Sequence, residues 1–288
     1  MIVVSAASGA FGRLVVDRLL EGGAAGRVVA AVRRPEKAVD LAARGVTVRH
    51  GDYDDPATLR TAFAGADRLL LISSPELDTA RRTAQHRAAV DAARAAGVGS
   101  LVYTSFLGAD TRAEGLTAAH HATERALAAS GLPHTVLRHP FYTEAFVHPG
   151  LRDAVAAGEL ADGTAGRGLN TALRGDLAEA AARVLTEDAH LGRAYDFTGN
   201  LWDHHELAEA LSRVCGRPVV RRNRADRAPG ARGWLEEQVR AGALERQTDD
   251  LRHVLGRPPT SLDAAVAALL GHPRPGSPDA RPAGPGTS

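Results

Sequence analysis

The opening stretch MIVVSAASGAFG constrains the fold more than any other part of the sequence. A short apolar run at 2–4 leads into a turn of small residues and then into helical spacing, the order in which a nucleotide-binding strand–loop–helix unit begins. Gly9 and Gly12 let the backbone approach a pyrophosphate and let the helix sit closely on a sheet. The helix N-terminus beyond them offers free N–H groups to phosphates. Such a loop would present Ala6, Ser8, Gly9, Ala10, Phe11 and Gly12 to its ligand. Where a G-x-x-G-x-x-G loop has its first glycine stands Ala6, whose methyl group must fit the tightest part of the turn.

The rest of the first half alternates strand and helix. Helical apolar spacing over 14–20 ends at Gly22-Gly23, and a strand is predicted at 27–33. A helix opened by Pro35 and closed by Gly45 precedes a strand at 46–49, and Asp55-Pro56 caps a short helix that runs to Phe63. Further strands are predicted at 68–72, 101–105 and 135–137, separated by helices over about 78–96 and 117–130. Six short apolar strands joined by helical crossovers define an α/β protein with a doubly wound parallel sheet.

Residues 1–150 are expected to form this core, and 151–270 a smaller, mainly helical lobe covering one side of the cleft. That lobe has strand candidates at 194–197 and 218–221, and it is free to interleave with the core. The stretch 271–288, dense in Pro and Gly, reads as a disordered tail.

Composition narrows the function. The 35 basic and 34 acidic residues leave a net charge of +1, which predicts no nucleic-acid or membrane-surface partner. The single cysteine, Cys215, excludes an internal disulfide, and with no leader or membrane span in sight a cytoplasmic protein is expected. Lys37 is the only lysine, so any chemistry that needs a lysine must use it.

In an open parallel sheet, ligands lie beyond the C-terminal ends of the strands. Arg33-Arg34 follow the second strand, where an acidic residue would select the 2′-hydroxyl of NAD, whereas guanidinium groups suit a 2′-phosphate. NADPH is therefore preferred as cofactor, with NADH as the alternative. Asp52 either faces the adenine side or braces the turn before Asp55, and Ser73 and Ser74 either bond a ribose or cap the next stretch of chain. Tyr103, Thr104 and Ser105 end the fifth strand near the expected nicotinamide, although Tyr103 could equally point into a helix layer.

Short-chain dehydrogenases pair a tyrosine with a lysine four residues later, which lowers the phenol pKa. The residues four after Tyr53, Tyr103, Tyr142 and Tyr195 are Ala57, Leu107, Phe146 and Gly199, so that dyad is missing. There is no Walker loop and no nucleophile elbow. The pairs His120-His121 and His204-His205 lack metal-ligand spacing, so no metal site is expected, and His204 and His205 are placed at a solvated helix start.

The segments SAASGAFGRLVVDRLL, AAVRRPEKAVDLAARGVTVRHGDYDDPATL, SLVYTSFLGAD, HHATERALAASGLPHTVLRHPFYTEAF and TDDLRHVLGRPPTSLDAAVA together resemble the NmrA-like atypical short-chain reductases. Within them the sequence is most similar to the quinone oxidoreductase and triphenylmethane reductase branch. The resemblance covers about residues 1–270 and implies a Rossmann fold, with NADPH held by the Gly9 and Gly12 loop and Arg33. It also implies a quinone-like or other flat electrophile over the nicotinamide. His120 and Glu124 fall on the family's H-x-x-x-E helix, where His120 would bond the nicotinamide ribose or carboxamide.

Three departures from the family pattern stand out. The first is Ala6. The second is His139-Pro140-Phe141 in place of an asparagine-glycine-tryptophan segment, and the third is the short, basic stretch RRNRADRAPGARG at 221–233.

The reading these features favour is direct hydride transfer to a conjugated small-molecule acceptor, with His120, Phe141 and Tyr142 at the reacting centre; the bland alternative for the two aromatics is core packing. A quinone oxygen needs orientation and exclusion of water more than a positioned acid. Two rival readings remain. One is a redox-sensing regulator that binds the dinucleotide and signals to a protein partner through the basic stretch at 217–227. The other is an enzyme of specialised metabolism with a changed acceptor. A homodimer is compatible with each.

Overall fold

The computed structural model describes residues 1–271. The sequence-predicted tail falls almost entirely outside these described residues. The elements alternate from the start: β1 (Ile2–Val4), α1 (Ala10–Glu21), β2 (Val28–Val32), α2 (Val39–Ala43), β3 (Thr47–His50), α3 (Pro56–Phe63) and β4 (Arg68–Leu71). The pattern continues through α4 (Thr79–Ala95), β5 (Ser100–Phe106), α5 (Ala118–Ser130), β6 (His134–His139) and the two-residue β7 (Phe141–Tyr142). Then come α6 (Leu151–Ala157), β8 (Glu159–Asp162), β9 (Leu169–Ala172), α7 (Arg174–Thr186), β10 (Ala194–Asp196) and β11 (Asn200–Trp202). The described chain ends with α8 (His204–Cys215), β12 (Val220–Asn223), α9 (Gly230–Arg240), α10 (Asp250–Leu255) and α11 (Leu262–Leu270).

The main sheet has seven strands in the order β10-β6-β5-β4-β1-β2-β3, with every pairing parallel. Parallel strands covered on both faces read as continuous apolar runs, and β1 and β2 are buried along their whole length. One face is covered by a cluster that includes Val15 and Leu19 of α1, Leu177 and Ala181 of α7, and Leu251 of α10. The other face is covered by Phe63 of α3, Ala89 and Ala93 of α4, and Leu127 of α5. The strand order reverses between β1 and β4, and the glycine loop leaves β1 at that reversal.

The chain divides into two compact units, and both are discontinuous. The first comprises 1–143, 170–201 and 244–260, and the second takes the intervening segments from Glu144 onward. The simple division at residue 150 therefore gives way to interleaving. The strand assigned to the lobe at 194–197 instead joins the main sheet as β10, with Tyr195 opposite Leu137 of β6. Pairing across nearly sixty residues leaves no local signature. β7, too short to show a period, is fixed by pairing with β9, Phe141 against Thr171 and Tyr142 against Ala172.

In the second unit, β12 pairs with β8 and α8 packs on α11. Asp203 opens α8 with a capping box, accepting from the His205 and Glu206 amides while Glu206 reaches back to the Asp203 N–H. The basic stretch is not a free cationic patch. Arg221 pairs with Asp162, Arg222 with Glu159, Arg224 with Glu236 and Arg227 with Glu237. Among the described residues, no helix is long and apolar enough to cross a membrane.

The loop after β1 explains its own glycines. A Cβ on Gly12 would stand 2.6 Å from the Ala6 carbonyl oxygen and 2.7 Å from Ala7 Cα, so α1 can start against the loop only with glycine there. Ala6 occupies the left-handed region, at φ +47°. That conformation costs an L-residue about 1–2 kcal/mol, partly offset by the smaller chain entropy alanine loses on folding. Ala6→Gly is therefore expected to stabilise by about 0.5 kcal/mol, read as a rise of about 1–2 °C in the thermal midpoint. Gly12→Val should lower it by several degrees and abolish dinucleotide binding. A midpoint that falls in Ala6→Gly would show that the left-handed turn carries no strain.

Candidate active site

The loop is tied to its neighbours by side chains. Ser5 Oγ accepts from the Ile72 N–H (2.9 Å) and is paired with the Tyr53 hydroxyl (2.6 Å), joining the ends of β1 and β4. Arg13 donates to the carbonyls of Ser8 (3.2 Å) and Lys37 (2.8 Å) and pairs with Asp40, whose carboxyl it holds below the usual range. Arg13 is thus committed to the scaffold. Arg33, directly after β2, is exposed, as is Arg34. Asp52 braces a turn: its carboxylate accepts from the Asp54 N–H (3.1 Å), its amide donates to Thr58 Oγ1 (2.9 Å), and Asp55 caps α3.

At the C-terminal ends of β4, β5 and β6 lies a pocket of about 230 Å³. Phe106, Phe141 and Tyr142 give it aromatic walls, and Ser73, Thr104, Ser105, His120, His139 and Arg82 give it polar groups. The Phe106 and Phe141 rings meet edge to face at 5.1 Å. Tyr142 stacks on Phe11 at 6.3 Å, with the Arg174 guanidinium 5.5 Å from the centre of its ring. Phe11 therefore links the glycine loop to the pocket wall. At this size the pocket takes a ring system rather than an extended chain.

A chain of buried hydrogen bonds fixes what His120 presents. The Ser74 amide donates to His86 Nε2 (2.8 Å), so the His86 proton sits on Nδ1 and points to Thr123 Oγ1 (2.9 Å). Thr123 spends its own proton on the Ala119 carbonyl (2.7 Å). The Tyr103 hydroxyl bonds Thr123 and lies 3.3 Å from His86 Nδ1 and 2.9 Å from His120 Nδ1. With Tyr103 donating to Nδ1, His120 carries its proton on Nε2, as a donor at the pocket.

Burial, reinforced by the charge of Arg82, drives His120 down to about 2 and His86 to about 3, and burial alone takes His139 to about 3. All three are neutral imidazoles at physiological pH. Beneath them Glu124 accepts from Ser105 and, at 2.7 Å, from Arg138, which also reaches Asp196.

The structure thus gathers Ser73, Thr104, Ser105, His120, Phe141 and Tyr142 around one pocket, with the glycine loop joined to it through Phe11. Two expected cofactor contacts are corrected. Tyr103 is wholly buried and reaches the pocket only through His120, because its ring is drawn into the apolar helix layer. Ser74 is also buried and holds His86 and Gln85. His204, expected at a solvated end, is buried with Nδ1 3.7 Å from Asp162. It lines a cavity of about 560 Å³ within the second unit, largely apolar, with Leu151, Leu207, Leu235 and Val239 among its lining residues. Sequence reasoning missed Arg82, His86 and Phe106; the available signal was the polar stripe Arg82, Gln85, His86 at helical spacing just after the fourth strand.

A glycine loop at the strand-order reversal, opening toward an aromatic pocket with fixed donors, defines a dinucleotide-dependent oxidoreductase of the doubly wound class. Residues 6–188 match the model of the NAD(P)H-binding family. Quinone oxidoreductase 2 of Escherichia coli is 38% identical, across 94% of this chain and 99% of its own. Its NADPH complex superposes with a TM-score of 0.83. Triphenylmethane reductase of Citrobacter sp., solved with NADP(H), is 36% identical over 94% of this chain and 100% of its own, with a TM-score of 0.89. An NmrA-like oxidoreductase of Aspergillus flavus is 28% identical over 93% of this chain and 94% of its own. The chain belongs to the NAD(P)H-binding, NmrA-like reductase family.

The three depressed histidines make stability depend on pH. Each contributes fully above the unfolded value near 6.5, and that contribution is lost as pH falls from there toward 3, by about 1 kcal/mol per pH unit per histidine. The thermal midpoint should therefore drop between pH 7 and pH 5, and less steeply in His86→Gln. A flat profile would mean that these imidazoles are not held neutral.

Proposed function

We propose that the protein reduces quinone-like or other flat, conjugated electrophiles with NADPH, by direct hydride transfer. The observation that carries this reading is a ring-sized aromatic pocket at the strand ends whose donor, His120 Nε2–H, is fixed in one tautomer and which has no acid titrating near neutrality.

The residues present fit the cofactor. Gly12 lets the first turn of α1 sit directly against the loop, so that its free amides suit a pyrophosphate, and exposed Arg33 suits the 2′-phosphate. Ser73, Thr104 and Ser105 offer polar groups to the ribose and nicotinamide. NADPH, when bound, supplies a hydride from nicotinamide C4. Phe106, Phe141 and Tyr142 hold a flat acceptor and exclude water. His120 Nε2–H donates to the acceptor oxygen as it gains negative charge. It is a stabilising donor rather than a proton source, because the chain behind it ends on the Ser74 backbone amide, which cannot be recharged from solvent. The proton for a reduced quinone comes from water, so no tyrosine–lysine dyad is needed. The NADPH in the E. coli relative's structure, and that relative's activity on quinones, support the same reading.

The test is titration with NADPH and NADH, followed by nicotinamide fluorescence, and then a quinone panel followed by nicotinamide absorbance. NADPH should bind more tightly than NADH and lose that advantage in Arg33→Ala. His120→Phe should lower kcat by about 10²-fold with little change in NADPH affinity. Binding of neither cofactor, or tight NADPH binding with no acceptor reduced, would overturn the assignment.

A further inference from the structure

We infer that Arg82 forms an anion subsite in this pocket and makes the enzyme selective for conjugated acceptors bearing an acidic substituent, such as a carboxylate or sulfonate. The inference rests on the reductase reading above and names the acceptor class within it.

Arg82 lies in the first turn of α4 and lines the pocket beside His120 and Tyr142. Its Nε is buried and donates to nothing, and among the described residues no carboxylate lies within ion-pair distance of its guanidinium. The contrast with its neighbour is direct. Arg81, on the exposed side of the same turn, reaches both Asp54 (2.9 Å) and Glu76 (3.4 Å). Partly buried arginines elsewhere find acids as well: Arg138 has Glu124 and Asp196, Arg221 has Asp162, Arg224 has Glu236, and Arg257 has Asp176 and Glu179.

Removing a guanidinium from water without a counter-charge is costly, and such a group gains most from an anion that enters with the ligand. The surroundings leave that role to the ligand. None of the residues lining the pocket is acidic. Glu124, whose carboxylate meets Ser105 of the pocket wall, is already engaged by Arg138. The titratable groups that face Arg82 are His86, His120, Tyr103 and Tyr142. None of these is a carboxylate that could pair with the guanidinium, so the pocket keeps a net positive field. Guanidinium geometry favours two-point contact with a planar or tetrahedral oxyanion, which also fixes the orientation of the ring that carries it.

The experiment compares a neutral naphthoquinone with the same ring bearing a sulfonate, for wild type, Arg82→Gln and Arg82→Lys. The ratio of kcat/KM for the sulfonated over the neutral acceptor should exceed one in the wild type. It should fall about 10- to 100-fold in Arg82→Gln and recover in part in Arg82→Lys. The ratio should also shrink as ionic strength rises. An unchanged ratio in Arg82→Gln overturns the subsite. So does an equal loss on both acceptors accompanied by a weaker NADPH Kd, since Arg82 would then serve the cofactor. Calorimetric titration of the NADPH-loaded protein with a naphthalene sulfonate that cannot be reduced reads the subsite without turnover. Arg82-dependent binding there, with no quinone reduced, would sink the reductase reading alone; no Arg82-dependent binding would sink the subsite alone.

Discussion

The start of α1 lies so close to the preceding loop that no Cβ fits between them, and the rest of the molecule is arranged around that contact. Gly12 meets the Ala6 carbonyl and the Ala7 backbone, so the helix axis is set against the end of β1 at the strand-order reversal. This places the first-turn amides at the mouth of the crevice, where an anion is stabilised by groups that have no acceptor of their own within the helix. Because both faces of the sheet are covered by helices, the strand ends are where polar groups can meet a ligand without disturbing the core. The turn is made with Ala6 in a left-handed conformation, so the loop keeps its geometry while carrying local strain.

Behind the pocket lies a set of buried, mutually hydrogen-bonded side chains. Ser74, His86, Thr123, Tyr103 and His120 form a buried hydrogen-bonded chain, and burial with the Arg82 charge keeps the imidazoles neutral. A donor held this way costs little reorganisation when charge develops in front of it. Arg138 with Glu124 and Asp196 supports the same floor as a buried ionic network whose members are all paired. Arg82 stands apart because its charge is left for something that comes from outside.

Most of the first six strands were legible because buried parallel strands are written as short apolar runs bounded by Gly, Pro and Asp signals, whereas β3, at the sheet edge and partly exposed, was marked by the Gly45 before it. The glycine loop was legible for a related reason: a backbone that must pass close to another leaves glycine in the sequence. β10 was predicted as a strand but placed in the wrong layer, since its partner in β6 lies nearly sixty residues away. β7 was invisible at two residues, although Phe141 and Tyr142 within it were recognised as pocket candidates. Tyr103 and Ser74 were found at the right strand ends, but the direction of their side chains was not, and both point inward.

By itself, then, the sequence determined the doubly wound architecture, the glycine loop after the first strand, the arginine pair after the second and the restriction of any lysine-dependent chemistry to Lys37. Each of these is set by local spacing or by a residue count. Only the tertiary structure decided that Tyr103 lies behind His120 and bonds its Nδ1, and that Arg82 reaches the pocket without a carboxylate. Those properties arise where α4, α5 and β5 meet. A hydrogen bond or an unpaired charge depends on groups brought together from separate elements, and no single stretch of chain contains them.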